Sequence, residues 1–273
     1  KTKLQTEEIR FYSGVSYRHI MVWKNGKNRN TLTPPHDIAG KKIGQFLPEG
    51  PGENVLLGMM IKSIALLKDH IINRKRMKDG KRPANAIWIW GEGKRPNLDS
   101  FYGKYKLRGS IISAVDLIRG IGVLAGFEPV TVEGATGTIE TNFSGKVDAA
   151  VSQLIGGKDF VFIHLEAADE CSHQGDVENK VRAIEIIDKN VVEAIKKEMD
   201  REELDYKMMI LPDHYTPIIK RTHTSEPVPF LIYNSTKPAG GKHKRFDEFK
   251  AQETNLHFEK GYKLIDYFFG KKG

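Results

Sequence analysis

Five residues in the C-terminal half of this sequence have the side chains to bind divalent metal ions: Asp169, His173, Asp213, His214 and His223. Carboxylate and imidazole ligands suit manganese or zinc, whereas magnesium and calcium prefer oxygen alone. Two such ions a few ångströms apart can hold the attacking and the leaving oxygen of a phosphoryl displacement. The combination therefore predicts a divalent-metal site suited to phosphoryl transfer.

The first group of these residues follows a predicted strand, in the stretch His164–Asp176. Asp169 and His173 are four residues apart, so on a helical turn they project from one face and could share a cation. Taken alone, the pattern is explained equally well by an acidic helix start that complements the helix dipole. Cys171 lies between the two residues; a thiolate can bind zinc, but a small packed residue near the site is the simpler interpretation.

The other two groups flank a further predicted strand. Asp213 and His214 directly follow the apolar run at 207–211, and alone they would indicate a turn with a capping Asp. His223 lies between two threonines before the run at 228–233, where a single histidine is ordinarily a surface residue. Functional groups of open α/β sheets collect in loops at the carboxyl ends of strands, so the three groups together are much stronger evidence than each alone.

The elements predicted around these residues are those of an α/β protein. Apolar runs predict strands at 86–90, 110–112, 129–132, 160–163, 207–211 and 228–233, and helical spacing predicts helices at about 114–125, 146–154, 177–200 and 256–269. This alternation predicts a largely parallel sheet with helices on both faces. The pattern changes at Pro83, which we take as the boundary between a smaller α+β domain (residues 1–83) and the main domain (residues 84–273).

Three stretches make up the smaller domain. Residues 8–24 alternate as one or two strands, and residues 28–52 are rich in Pro and Gly and predict a long loop. From residue 53 to about residue 74, apolar side chains recur at helical spacing and predict one amphipathic helix.

The net charge of +8 and the pI near 9.3 favour polyanionic partners, either nucleic acid or phosphorylated metabolites. The excess is concentrated at 68–82, where a solvated helix end and loop is the simpler interpretation. We expect no nucleic-acid binding, because interleaved aromatics, zinc-finger spacing and RNP-like motifs are missing from the sequence. No apolar run approaches the roughly 20 residues of a membrane span. The single cysteine excludes an intrachain disulfide and fits a reducing cytoplasm.

The order of the candidate ligands resembles that of a known family. The sequence has Asp-x-x-x-His, then Asp-His after a strand, then Thr-His-Thr before Pro-Val-Pro. This order resembles the alkaline-phosphatase superfamily, and more closely its archaeal-type cofactor-independent phosphoglycerate mutases. The resemblance covers nearly all 273 residues. The other stretches and residues that agree are Phe11–His19, Trp88–Gly93, Gly134–Gly137, Thr141, Asn142, Lys146 and Asp188.

The resemblance implies an alkaline-phosphatase-like fold with two divalent ions, manganese before zinc or magnesium, and no bisphosphoglycerate. Asp169, His173 and His223 would hold one ion. Asp213 and His214 would hold the second. The reaction would be the glycolytic interconversion of 3-phosphoglycerate and 2-phosphoglycerate in the cytoplasm, through a metal-activated phosphoserine.

A phosphorylated substrate also needs cations, and planar, multidentate arginine is suited to phosphate and carboxylate. Arg18 is the candidate in the smaller domain. Lys94, Arg95, Arg108 and Arg119 are weaker candidates, for which an ordinary surface charge is the simpler interpretation.

The sequence departs from the family at its N-terminus. Family members begin with a strand that ends in a metal-binding Asp, followed by a segment with the nucleophilic serine, and neither is found here. We therefore expect a fragment of a longer enzyme that has no turnover alone, with a strand missing from its sheet and apolar surface exposed. A homoserine kinase-like phosphotransferase or phosphatase of the same superfamily is an alternative, although no Walker-type phosphate loop supports a kinase. A non-catalytic binding remnant is another.

Overall fold

The computed structural model describes residues 3–14, 17–238 and 245–270. By its internal contacts the chain divides into two compact units, Lys1–Leu98 and Asp99–Gly273. The division therefore falls later than the predicted boundary near residue 83. Residues 84–98 group with the first unit and bond to its helices and its loop: the Asn73 side chain accepts from the Ala84 N–H (3.0 Å), and the Glu92 carboxylate accepts from the Asn30 N–H (2.7 Å). No helix in the described ranges is both long and apolar enough to cross a membrane.

The first unit begins with an antiparallel hairpin of two strands, β1 (Ile9–Ser13) and β2 (His19–Trp23). These strands confirm the prediction for residues 8–24. Val15 and Ser16, in the middle of the Phe11–His19 motif, lie outside the described residues. The stretch at 28–52 is the predicted loop, interrupted by short 3-10 turns at Pro35–Ile38 and Ile43–Phe46.

The helix predicted from residue 53 to about residue 74 is in fact two helices, α1 (Glu53–Lys68) and α2 (Ile71–Lys78). The break occurs where the His70 ring accepts a hydrogen bond from the Ile72 N–H (3.3 Å) and caps the start of α2. The strand predicted at 86–90 is not formed. Its backbone is bonded by side chains instead, since the Ile87 N–H donates to the Ser63 hydroxyl of α1 (2.9 Å).

A three-stranded parallel sheet organises the second unit, with the order β4-β3-β5. Its strands are β3 (Gly109–Ile112), β4 (Glu128–Val130) and β5 (Phe160–Ile163). Helices α4 (Asp116–Leu124) and α5 (Phe143–Ile155) connect them. The predicted mixed α/β fold and the predicted strand–helix alternation are confirmed for this part of the chain.

The last two strands, β6 (Lys207–Ile210) and β7 (Leu231–Asn234), form a separate antiparallel pair. A loop connects them rather than the crossover helix that parallel strands need, so the parallel arrangement does not extend to this pair. The same loop carries three of the five predicted metal ligands.

One long helical stretch packs against α5. It comprises α7 (Val177–Ile187), a π-helical segment (Asp188–Glu193) and α8 (Ala194–Arg201), which confirms the helix predicted at 177–200. The buried residues of this core are Phe143, Val147, Val151, Ala167, Ala183, Val191, Ile195 and Met199. Ala167 begins the helix that carries two predicted ligands, so the core fixes where that helix starts.

Short helices complete the second unit. Two of them, α3 (Phe101–Tyr105) and α9 (Glu248–Glu253), were not expected from the sequence. The helix predicted at 256–269 is shorter, with α10 spanning Leu264–Phe268. An aromatic cluster joins this C-terminal part to the sheet through Phe101, Phe127, Phe160 and Phe269.

Candidate metal centre

Helix α6 (Ala167–Gln174) follows β5 after a three-residue turn and carries the first two ligand candidates. Asp169 and His173 lie on consecutive turns of its exposed side, with Asp169 Oδ2 3.3 Å from His173 Nε2. Both side chains are about one quarter exposed, so they are shielded from solvent but reachable by an ion. The predicted common face of Asp169 and His173 is therefore present.

The loop between β6 and β7 brings the histidines of the other two groups together. Tyr215 and Thr224 form an antiparallel bridge across the loop, in which the Thr224 N–H donates to the Tyr215 carbonyl (3.0 Å). His214 and His223 each precede one of these bridged residues, and their ring centroids are 3.8 Å apart. A loop that looks irregular in sequence thus presents two imidazoles side by side.

The side chains of the two elements converge. His173 Nε2 is 3.1 Å from His223 Nε2, and His223 Nε2 is 3.4 Å from Asp169 Oδ1. Asp169, His214 and His223 also offer ligand atoms that all lie within 4.8 Å of one another. Atoms coordinated at about 2.1 Å to one tetrahedral ion lie about 3.4 Å apart. The separations around Asp169, His173 and His223 are of this size, with one oxygen of Asp169 close to each histidine, so the three residues can approach a single divalent ion.

Asp213 is the predicted ligand that stands apart. Its carboxylate is 72% exposed, and its Oδ2 is 3.5 Å from His214 Nε2. His214 itself is grouped with Asp169 and His223. The structure thus brings Asp169, His173, His214 and His223 together and leaves Asp213 at the rim, and the assignment of Asp213 and His214 to a second ion stays a prediction.

Backbone and side-chain groups around the ligands orient the imidazoles. His173 Nδ1 is 2.8 Å from the Arg221 carbonyl oxygen, which can only accept, so Nδ1 carries the proton and Nε2 presents its lone pair to an ion. The hydroxyl of Thr216 donates to Asp169 Oδ1 (2.5 Å). Such outer contacts fix ligand geometry in metal sites. Neither Arg221 nor Thr216 was a candidate from the sequence, because each acts through a residue about fifty positions away.

A buried polar cluster lies at the carboxyl ends of β3 and β5, below the start of α6. His164 Nδ1 is 3.3 Å from the Ser113 hydroxyl, and the ammonium of Lys146 donates to the His164 carbonyl oxygen (3.2 Å). Lys146 is only 1% exposed. Burial lowers the pKa of Lys146, an effect that the charge of Glu166 opposes, and burial also lowers the pKa of His164. The cluster ties the turn before α6 to the sheet.

Two further candidates lie outside the ligand group. Cys171 is buried within α6, and burial raises the pKa of its thiol, which agrees with a packed residue rather than a ligand. Arg18 belongs to the first unit, where its guanidinium lies 5.2 Å from the ring centroid of Tyr17. Its role in substrate binding stays a prediction.

The chain resembles known proteins in both its parts. Residues 51–259 match the model of the Metalloenzyme superfamily, and residues 1–73 match that of 2,3-bisphosphoglycerate-independent phosphoglycerate mutase. A probable 2,3-bisphosphoglycerate-independent phosphoglycerate mutase of Geobacter sulfurreducens is 45% identical over 96% of this chain and 65% of its own length. The mutase of Methanosarcina mazei is 42% identical over 96% of this chain and 66% of its own length. The chain thus spans about two thirds of the length of these curated relatives.

Solved structures show the same fold. The PH0037 protein from Pyrococcus horikoshii matches 73% of this chain and 51% of its own, with a TM-score of 0.59 and 32% sequence identity. The cofactor-independent phosphoglycerate mutase from Thermoplasma acidophilum matches 97% of this chain and 65% of its own, with a TM-score of 0.53. At 21% identity, this second match supports the fold alone.

Proposed function

The chain belongs to the Metalloenzyme superfamily, and from this premise we propose that it serves as a 2,3-bisphosphoglycerate-independent phosphoglycerate mutase. The reaction is the interconversion of 3-phosphoglycerate and 2-phosphoglycerate in the cytoplasm, through a phosphoserine. The nucleophilic serine is not assigned to any residue of this chain. Relatives at 40–45% identity named as such mutases support the substrate class.

The observation that carries the proposal is the convergence of ligand atoms from α6 and the β6–β7 loop. Asp169 Oδ2 is 3.3 Å from His173 Nε2, Asp169 Oδ1 is 3.4 Å from His223 Nε2, and the two Nε2 atoms are 3.1 Å apart. Three ligands of this kind with an open side are typical of a catalytic rather than a structural ion. A site of mixed carboxylate and imidazole ligands favours manganese or zinc over magnesium. We propose manganese, with His214 and Asp213 contributing to a second ion.

When bound, divalent ions supply positive charge that polarises phosphoryl oxygens and activates a hydroxyl nucleophile. Residues around the ligand candidates fix the proton position and the orientation that such ions need. The Arg221 carbonyl holds the proton of His173 on Nδ1, and the Thr216 hydroxyl holds one oxygen of Asp169. Arg18 is proposed to bind the phosphate or carboxylate of the substrate, where a planar guanidinium forms paired hydrogen bonds.

Metal analysis of the purified chain tests the site. We expect about one manganese or zinc per chain in the wild type, lost in Asp169→Ala and in His223→Ala. His257→Ala is the matched control, because His257 is an exposed histidine paired with Glu259. Metal that persists in both site variants, or a wild-type chain that binds none, would contradict the proposed ligand set.

A mutase assay tests the substrate. We expect no turnover of 3-phosphoglycerate by these 273 residues alone, and metal-dependent turnover without bisphosphoglycerate by a polypeptide of the relatives' full length that contains them. In that longer polypeptide, His223→Ala should abolish activity. Phosphate release without isomerisation, or phosphoryl transfer from a nucleoside triphosphate, would indicate another member of the superfamily and refute the mutase assignment.

A further inference from the structure

The hydroxyl of Thr216 touches one ligand candidate from each of the two predicted ion sites. It donates to Asp169 Oδ1 at 2.5 Å, and its oxygen is 3.3 Å from His214 Nδ1. The Thr216 side chain is buried, with 6% of the residue exposed. We infer that Thr216 is a positioning residue, which sets the orientation of the Asp169 carboxylate and the proton position of His214 for metal binding.

The direction of the hydrogen bonds follows from counting protons. A hydroxyl has a single proton and two acceptor lone pairs, and a carboxylate only accepts. The proton of Thr216 therefore goes to Asp169, and its lone pair faces His214 Nδ1. His214 must then carry its proton on Nδ1, which leaves the Nε2 lone pair for an ion. The Tyr215 carbonyl oxygen, 3.3 Å from the same Nδ1, can only accept and requires the same proton position.

The backbone at Thr216 is bonded to α7, the helix that follows α6 in the chain. The Lys180 ammonium on α7 donates to the Thr216 carbonyl oxygen (3.0 Å). Helix α7 packs against α6, on which Asp169 lies. The loop after β6 is therefore attached to the same helix pair that positions Asp169.

This inference rests on the proposed metal site, and its consequence is measurable as metal affinity. Loss of an outer hydrogen bond to a metal ligand typically weakens binding by about 10- to 100-fold. Thr216→Val keeps the branched shape and removes the hydroxyl, so we expect a loss of affinity for Mn²⁺ in that range. Thr216→Ser keeps the hydroxyl and should stay within about threefold of the wild type, because only a methyl group is removed.

The experiment is a Mn²⁺ titration of the 273-residue chain and its variants by calorimetry, with thermal unfolding measured on the metal-free proteins. Thr254→Val is the matched control, because it removes the hydroxyl of an exposed threonine at the end of α9 that bonds only locally, donating to the Ala251 carbonyl and accepting from the Leu256 N–H. We expect Thr254→Val to bind Mn²⁺ as the wild type does. A wild type that binds no Mn²⁺ would overturn the proposed metal function itself.

The variants then decide on Thr216 alone. If the wild type binds and Thr216→Val binds within about threefold, Thr216 does not position the ligands. If Thr216→Ser loses as much affinity as Thr216→Val, the methyl group matters instead of the hydroxyl and the inference is wrong. Should Thr216→Val fail to fold, Lys180→Met decides the question, since releasing the Thr216 carbonyl should also weaken Mn²⁺ binding. An unchanged affinity in Lys180→Met would then overturn the inference.

Discussion

Substituting Gly175 by alanine should weaken metal binding without touching a ligand. Gly175 ends α6 in the left-handed conformation, with φ of +74°. A Cβ atom added there would lie 2.6 Å from a terminal nitrogen of the Arg221 guanidinium. The carbonyl of the same arginine accepts from His173 Nδ1 (2.8 Å). The new methyl group therefore clashes with Arg221, the residue whose carbonyl orients the predicted ligand His173.

The cost of Gly175→Ala has a backbone part and a contact part. Placing a Cβ in the left-handed region costs roughly 1–2 kcal/mol. The added Cβ also meets Arg221 Nε and Cζ at 2.8 Å, so the whole guanidinium must shift, which adds little to the loss of stability but disturbs the position of Arg221. For a unit of 175 residues (99 to 273), each kcal/mol lowers the unfolding temperature by about 2–4 °C, so the expected decrease is roughly 2–8 °C. Displacement of the Arg221 carbonyl should lower Mn²⁺ affinity by about 10-fold or more.

Gly126→Ala is the matched control. Gly126 follows α4 with φ of +84°, and its added Cβ would meet only Ser100 Oγ, at 3.8 Å. Thermal unfolding by circular dichroism should show similar losses for the two variants, whereas a Mn²⁺ titration should show weaker binding in Gly175→Ala alone. Equal Mn²⁺ affinities in the two variants would refute the expected transmission of the shift from the Arg221 side chain to the carbonyl that orients His173. An unchanged unfolding temperature in both would refute the strain argument.

Two further predictions concern the buried cluster below α6. Burial lowers the pKa of His164, so the unfolded chain takes up a proton below about pH 6.5 that the folded chain does not. The free energy of unfolding should thus decrease as the pH falls from about 6.5 to the lower pKa of folded His164. Urea unfolding between pH 5 and 8 should show a smaller decrease in His164→Gln than in the wild type. Equal decreases in the two proteins would exclude His164 as the cause. Lys146→Met removes a buried ammonium that faces Glu166 and should lower the free energy of unfolding by about 3–5 kcal/mol in the same assay. The control Lys197→Met breaks an exposed pair with Glu193 and should lower it far less. Equal losses of stability would show that Lys146 does not hold the turn before α6.

The convergence of Asp169, His173, His214 and His223 could be expected from the sequence, but the residues that contact and orient these ligand candidates could not. Asp169 and His173 are four apart on a helix, and that spacing alone brings them to one face. Thr216 stands in a turn like any loop hydroxyl, and its role depends on Asp169, 47 positions away. Lys146 agrees with the family resemblance, but only the fold shows that it is buried and that it bonds the His164 carbonyl. Residues that act through distant partners need the tertiary structure to be found.

The strand predictions failed where an extended, apolar segment found other partners. The run at 86–90 has the composition of a strand, but Asn73 bonds the backbone of Ala84 just before it and Ser63 accepts from the Ile87 N–H within it. An alternating apolar pattern indicates that one face of a segment is buried, but it does not indicate which groups form hydrogen bonds with the backbone of that segment. The run at 160–163 has the same kind of signal and does form β5, because β3 lies alongside it. The difference between the two runs lies in tertiary pairing rather than in composition.

Adjacent ligands pose the same problem at the metal centre. Asp213 and His214 are neighbours in sequence, and their common assignment to a second ion stays a prediction. His214 is grouped with Asp169 and His223, while the exposed Asp213 carboxylate lies 3.5 Å from His214 Nε2. Neighbouring side chains of an extended chain point in different directions, so adjacency gives no assignment to a common ion. The proton positions are more informative. The acceptor carbonyls at Nδ1 of His173 and of His214 leave both Nε2 atoms as donors of a lone pair, which is the form a divalent ion requires of each.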